Sequence, residues 1–469
     1  MSKPASRLVV ISNRVAVPRA GRPASGGLAV AVNAALEARG GLWFGWNGRV
    51  VAGRPKRLIH RHRGNVEYVT TALSSADHAD YYQGFSNRVL WPLLHDRLAL
   101  VTYRRRYEEA YRRTNAWFAE QLMRLMQPND ILWVHDYHLV PIAAEVRARG
   151  FQGPIGFFLH TPFPSLEILR CLPIHRQFLE WLGAYDLLGF QTDGDRCTML
   201  DGVTRDTDAR RDRKNGFRLG THHAATGVFP VGVDVGEIID QVRRGRNSRQ
   251  VRALKASLAG RRLIIGADRM DYSKGLAERF YAYRYLLDTH PELHEDIVYL
   301  QIAEPSRTEV PEYQDMRHKL DQVAGEIIGS HARFDWMPIR YMSQRVRRPT
   351  LLAFFSAARV GLVTPLRDGM NLVAKEYIAA QNPDDPGVLV LSELAGAARQ
   401  LKSALLVNPY DVETTAEAIA TALAMPLEER RRRWRELMRT VRKDDILDWS
   451  EHFLNRLEDQ VAAQQGTMQ

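Results

Sequence analysis

The chain has 469 residues, 45% of them hydrophobic and 25% charged, which is ordinary for a folded protein of two to three domains. Lys and Arg exceed Asp and Glu by 65 − 54 = 11. The densest basic runs (104–106, 210–214, 243–246 and 430–433) are not interleaved with stacking aromatics, which argues against nucleic acid as a partner and for a small anionic ligand. No run of about eighteen apolar residues predicts a membrane span, the first residues lack the apolar stretch of a signal peptide, and Cys171 and Cys197 have neither metal-ligand nor disulfide spacing, so a cytoplasmic protein is expected.

In chain order, the apolar run 8–11 reads as a strand ending near Asn13 and Arg14. A Pro/Gly/Ser loop then leads through Gly26 and Gly27 into a helix over 28–39, and the two glycines permit close backbone approach to a ligand. Residues 40–47 read as the next strand and deliver Trp46. Tyr81, Tyr82, Phe85 and Trp91 fall in an aromatic stretch expected to be poor in helix, ahead of a helix over 103–121. Strands over 130–135 and 155–160 bring Asp136, His138 and His160 to their C-terminal ends, the edge at which open α/β sheets bind ligands. His135 and His138 have no third partner at metal-ligand spacing. Asp193 and Asp195 follow a strand over 185–190 and read as helix caps rather than a metal pair. Residues 201–223 are expected to be irregular, and 228–233 to cross into a second domain.

The second half repeats the alternation. A strand over 262–266 leads to Arg269 and Lys274, a two-pronged cationic clamp suited to phosphate oxygens. Further strands are expected over 297–302, ahead of Arg307, at Phe334 and Trp336, and over 360–364, 388–391 and 405–407, with helices from about 413 onward. The stretch 364–377 organises the whole: a buried strand, a turn through Asp368 and Gly369, then a helix opening at Asn371, whose amides suit a diphosphate and whose Glu376 suits vicinal ribose hydroxyls. Two doubly wound α/β domains follow, with ligand groups on strand edges and a cleft expected between them. Neither a P-loop nor a G-x-S-x-G elbow is present.

Ser12–Arg14, Gly26-Gly27, 42–46, 135–138, His160 with 162–164, 271–275, Ser306-Arg307 and 368–376 together resemble the α,α-trehalose-6-phosphate synthase family, in order along nearly the whole chain. The resemblance implies the GT-B fold, with an acceptor-binding domain over 1–232, a nucleotide-sugar domain over 233–445 and a C-terminal helix over 446–469 packing back toward the first. It implies retaining transfer of glucose from UDP-glucose, or another nucleoside diphosphate glucose, to glucose 6-phosphate in trehalose biosynthesis. Catalysis would fall to His160, Arg269, Lys274 and Asp368. Arg14, Trp46, Tyr82, Trp91, Asp136 and Arg307 would hold the acceptor. Gly26, Gly27, Arg269, Lys274, Val346, Asp368, Gly369, Met370, Asn371, Leu372, Val373, Ala374, Lys375 and Glu376 would hold the donor. No metal or other cofactor, no membrane and no nucleic acid are expected; a dimer or tetramer and a separate trehalose-6-phosphate phosphatase are. Thr161, Glu304 and Val346 depart from the family's pattern and bear on substrate and base choice. The rival readings are a glucosylglycerol-phosphate synthase and an inactive sugar-phosphate sensor.

Overall fold

The computed structural model describes residues 6–18, 27–55, 57–212, 215–307 and 310–467. Its contacts divide the chain into two compact units: Met1–Val231 together with Ile446–Gln469, and Gly232–Asp445.

The first unit holds strands β1 (Leu8–Arg14), β2 (Gly41–Val51), β3 (Ile59–Arg63), β4 (Val66–Ser74), β5 (Ile131–His135), β6 (Ile155–Phe158), β7 (Leu187–Phe190), β8 (Arg210–Arg211), β9 (Gly216–Leu219) and β10 (His222–Val228). They form one sheet in the order β3-β4-β2-β1-β5-β6-β7-β10-β9-β8. The strands from β4 to β10 pair in parallel, while β3, β9 and β8 add antiparallel edges. Leu8, Val9, Val10 and Ile11 are all fully buried, as an uninterrupted apolar run in a doubly covered parallel sheet should be. The chain winds one way from β1 through β2 and β4 and the other way through β5, β6 and β7. The switch point therefore lies between the ends of β1 and β5.

The second unit is a six-stranded parallel sheet of β11 (Arg262–Arg269), β12 (Ile297–Glu304), β13 (Ile339–Met342), β14 (Val360–Val363), β15 (Val388–Ser392) and β16 (Leu405–Val407). Its order, β13-β12-β11-β14-β15-β16, is the 3-2-1-4-5-6 order of a Rossmann fold, with the switch point between β11 and β14.

The long helix Ile446–Thr467 belongs to the first unit for a steric reason. Gly156 on β6 and Gly189 on β7 leave a trough that the Phe453 ring fills: a Cβ at either glycine would come within 2.6 to 2.7 Å of that ring. Phe453 also stacks on Trp133 of β5, with centroids 4.9 Å apart.

Three expectations need correction. Residues 201–223 are not irregular: the helix Asp193–Asp206 runs into the antiparallel ribbon β8-β9-β10, whose polar strands lack a two-residue apolar period. Phe334 and Trp336 lie in a turn closed by the Arg333–Trp336 bridge, and the strand begins only at Ile339. The stretch around Tyr82 is helical throughout, from Ser75 to Leu94, and its central part, His78–Leu90, is a π-helix. Gly84 and Pro92 are residues that usually interrupt helices, but Pro92 comes only two residues before this one ends, and Gly84 lies where the helix touches the Tyr107 ring. Among the described residues no helix is long and apolar enough to cross a membrane.

Candidate active site

The switch point of the second unit gathers the residues expected at the donor. Arg269 closes β11, and Lys274 ends the short turn Tyr272–Lys274 that follows. Asp271 caps this turn, its Oδ1 accepting from the Ser273 amide at 3.0 Å. Gly275 (φ 63°) then lets the loop lie against β14: a Cβ there would sit 2.5 Å from the Thr364 carbonyl oxygen, so both the backbone angle and the space demand glycine. Across the switch point, Lys274 Nζ donates a short hydrogen bond to Asp368 Oδ2. The turn 368–370 is backed by 394–397, whose Gly396 and Ala397 amides bond the Asp368 and Met370 carbonyls at 3.1 and 2.8 Å.

The helix Leu372–Ala380 that follows has no side-chain cap. Asn371 precedes it in the left-handed region (φ 71°), and its Oδ1 is buried without a partner. A helix N-terminus with its first amides uncapped is an anion site by geometry and dipole together. Leu372, Val373 and Glu376 remain partly exposed, while Ala374 and Lys375 turn into the core. Burial pushes the Lys375 ammonium down to about 8. Glu376 Oε1 accepts from Arg348 Nη1 at 2.7 Å; burial raises its carboxyl above the usual range and Arg348 only partly offsets this. Val346, two residues before Arg348, is half-buried against the same core.

Behind the clamp sits Arg279, fully buried. Its Nη1 bonds Asp268 Oδ2 at 2.8 Å and Gln301 Oε1 at 3.0 Å, Nε bonds Thr364 Oγ1 at 3.1 Å, and Nη2 bonds the Lys274 carbonyl at 3.2 Å. One guanidinium thus ties β11, β12, the end of β14 and the Lys274 turn. Sequence reading missed it, although a signal existed: Arg279 falls three residues after Leu276 and four before Tyr283, on the apolar face of the helix Leu276–Thr289. Arg307, with φ 49°, also belongs to this unit; its Nη1 bonds Asp271 Oδ2 at 3.0 Å, and Asp271 accepts from Tyr313 as well, at 2.8 Å.

The switch point of the first unit gathers the residues expected at the acceptor, apart from Arg307. Arg14 closes β1 with its guanidinium 4.9 Å from the Trp46 ring centroid, and no carboxylate among the described residues pairs with it. Gly48 makes the space: a Cβ there would meet the Arg14 guanidinium at about 2 Å. Trp46, His78 and Tyr82 form a wall of rings 5.1 to 5.5 Å apart. His78 and Tyr82 come from the π-helix, in which the Trp91 amide reaches the Ser86 carbonyl five residues back. π-helices are rare and concentrate at functional sites. Asp136 follows β5 in strained backbone (φ 74°), with its Oδ1 3.3 Å from the His160 amide. The turn Tyr137–Leu139 beyond it is held by buried side chains: Tyr111 bonds the Tyr137 carbonyl at 2.7 Å, Asn115 that of His138 at 3.1 Å, and Tyr185 that of Leu139 at 3.1 Å. Trp91 packs on Tyr137, 5.8 Å away.

Gly26 lies outside the described residues, and Gly27 is the first residue of the helix Gly27–Arg39. Asp193 and Asp195 are in the first turn of their helix, but the cap itself is Thr192, whose side chain accepts from the Asp195 amide at 3.2 Å. Asp195 Oδ1 accepts from the Phe163 amide, and Asp193 pairs with Arg196.

Arg14 at the switch point of the first unit, and Arg269, Lys274 and an uncapped helix beside the Glu376 carboxylate at that of the second, suit phosphorylated ligands, a nucleotide among them. The family model for glycosyltransferase family 20 matches residues 8–459, and the chain belongs to that family. The chain is 48% identical over 451 residues to the trehalose-6-phosphate synthase of Enterobacter sp. (strain 638), a match covering 96% of this chain and 95% of that protein. Its fold is similar, at TM-score 0.93 and 45% identity, to the α,α-trehalose-phosphate synthase (UDP-forming) of Burkholderia xenovorans in complex with glucose-6-phosphate, over 97% of this chain and 100% of that one. It is also similar, at TM-score 0.92 and 47% identity, to the E. coli trehalose-6-phosphate protein bound with UDP-2-fluoro glucose, over 96% and 99% of the two chains.

Proposed function

We propose that this glycosyltransferase moves glucose from UDP-glucose to the anomeric hydroxyl of glucose 6-phosphate, with retention, giving α,α-trehalose 6-phosphate and UDP. The observation that carries this reading is the switch point of the second unit, where Arg269, Lys274, an uncapped helix and Glu376 meet within one Rossmann sheet. Glucose-6-phosphate and a UDP-sugar are the molecules bound by the two similar structures.

In this reading the bond from the donor's anomeric carbon to the diphosphate oxygen breaks, and its electron pair moves onto the diphosphate beside Arg269 and Lys274. Cations fixed in place before charge develops are the strongest form of electrostatic catalysis. Asp368 holds the Lys274 ammonium in position. The acceptor hydroxyl forms the new bond and passes its proton to the departing phosphate, so no carboxylate nucleophile is needed. Glu376 takes the ribose hydroxyls, and Val346 lies near the base. Arg14 and Arg307 take the acceptor phosphate, Asp136 its hydroxyls, and the ring wall its apolar face. His160 faces the donor glucose. Because Arg269 and Lys274 supply the countercharge, no metal is required. The reading includes a homo-oligomer in the cytoplasm and a separate phosphatase that consumes the product.

Incubation with UDP-glucose and glucose 6-phosphate should release UDP, with undiminished rate after chelator treatment. Equal or better turnover of glycerol 3-phosphate would promote the glucosylglycerol-phosphate reading, and binding of both sugars without turnover would promote the sensor.

A further inference from the structure

We propose that His135 is a positioning residue for His160: it fixes the neutral tautomer that carries its proton on Nδ1, so that His160 meets the donor sugar with an N–H donor rather than a bare nitrogen. The role rests on the reading that His160 faces the donor glucose; the tautomer does not.

His135 ends β5 and is fully buried, while His160 lies two residues beyond the neighbouring strand β6. His135 Nδ1 and His160 Nε2 are 3.1 Å apart, so one of the two must donate and the other accept. Burial holds the His160 imidazole down to about 3, and burial together with His160 holds His135 well below its usual value, so neither ring is a cation near neutral pH. Each ring then carries one proton, and two arrangements remain.

The second nitrogen of His135 decides between them. His135 Nε2 is buried with no partner, and so are the indole nitrogens of Trp133 and Trp449. These rings form one cluster: Trp133 lies 4.4 Å from His135 and 5.0 Å from Trp449, and Trp449 lies 6.2 Å from His135. An indole nitrogen can only donate. A proton on His135 Nε2 would gather three unsatisfied donors and no acceptor in one buried cluster. A bare Nε2 instead places an acceptor among two donors, an arrangement one ordered water can bridge. The proton of His135 therefore sits on Nδ1 and is donated to His160 Nε2, which leaves the His160 proton on its own Nδ1. That nitrogen has no hydrogen-bond partner among the described residues, and the His160 ring keeps partial exposure between Phe158 and Trp449, 4.7 and 6.1 Å away.

The test is nitrogen NMR of the whole enzyme labelled with 15N-histidine, the two rings among its 15 histidines being assigned from His135→Asn and His160→Asn spectra. Both should show a protonated Nδ1 and a bare Nε2 near neutral pH. A proton on Nε2 of either ring, or a charged His160, overturns the proposal, and through-bond correlation of each ring to its backbone supplies the assignment if a variant does not fold. In kinetics, His135→Leu should lower kcat/KM for UDP-glucose by about ten- to a hundredfold, the scale of a misplaced contact, with UDP affinity unchanged. His135→Asn keeps a side-chain N–H near the place of Nδ1 and should recover most of the loss. Equal losses in both variants, accompanied by weaker UDP binding, would make His135 merely structural. If His160→Ala costs no activity while the tautomer is as stated, the donor-sugar reading of His160 fails and the tautomer stands.

Discussion

The two switch points do similar work with different backbone. In the second unit the site follows a plain strand-loop-helix plan, left-handed only at Gly275, Asn371 and Arg307: a strand end, a capped turn, a strand end and a helix N-terminus, with Arg269, Lys274, Asp368 and Glu376 drawn from two short stretches. In the first unit it is irregular: an aspartate at φ 74°, a glycine hollowed out for Arg14, and a thirteen-residue π-helix that supplies Tyr82 and His78. A diphosphate can be held by features that any strand-loop-helix unit offers, namely amides, a dipole and two cations. A sugar phosphate with many hydroxyls, the ligand proposed for the first unit, needs side chains placed from several directions, which a bent backbone suits.

If regularity in the second unit depends on one buried guanidinium, removing it should have the largest effect. Arg279→Met leaves Asp268 buried without its partner and should destabilise the protein by about 3–5 kcal/mol, read by denaturant unfolding. Arg279→Met combined with Asp268→Leu should recover most of that loss, because an apolar pair can replace a buried ion pair. Turnover should stay at least about tenfold down in the double variant, since the Lys274 turn and Thr364 are no longer tied together. Full activity in a stable double variant would reduce Arg279 to packing.

Lys274→Ala comes next. Loss of one preorganised charge at the leaving group should lower kcat by about a hundred- to a thousandfold while leaving the KM for glucose 6-phosphate near its normal value. Near-normal turnover at saturation would remove Lys274 from the clamp. Glu376→Ala should weaken UDP binding by about ten- to a hundredfold in calorimetry, the scale of about 1.5–3 kcal/mol for a charged hydrogen bond to a buried hydroxyl pair. Unchanged affinity in the folded variant would take the ribose away from Glu376.

The same contrast explains what could be read in advance. In the second unit the placement of the candidate ligand groups was legible because they lie at the ends of apolar runs, in short stretches whose spacing already implies the turn. Arg279 stayed hidden because a charge inside a helical pattern is usually on the solvated face. In the first unit the strand ends Arg14, Asp136 and His160 were legible for the same reason as in the second. The helix carrying Tyr82 was not, because glycine and proline signal breaks locally and packing overrode them: Ser74 caps its start at 3.0 Å from the Asp77 amide, and the helix Arg105–Met123 lies against it. No sequence pattern distinguishes a π-turn from an α-turn, and the need for glycine at position 48 appears only once Arg14 has folded beside it.

The smallest expected effects test whether the π-helix geometry itself sets the acceptor site. A Cβ at Gly84 would stand 2.6 to 2.9 Å from three carbons of the Tyr107 ring. That ring is 5% exposed and flanked by the guanidinium groups of Arg104 and Arg106 at 5.9 and 5.3 Å, so it has little room to withdraw, and the helix must move instead. Gly84→Ala should therefore cost about 1–3 kcal/mol of stability, the usual range for overpacking. It should also raise the KM for glucose 6-phosphate several-fold, about 1 kcal/mol of lost binding, because Tyr82 lies two residues earlier on the same helix and would shift against Trp46. UDP affinity should not change. Gly325→Ala is the matched control: it lies in the helix Pro311–His331 with nothing within 4 Å of the added methyl, and it should stabilise by about 0.5–1 kcal/mol with unchanged kinetics. If Gly84→Ala loses stability but keeps its KM, the π-helix is a packing solution and Tyr82 tolerates displacement. If KM rises while UDP binding holds, the unusual backbone is what positions the acceptor, and the difference between the two switch points reflects the difference between their ligands.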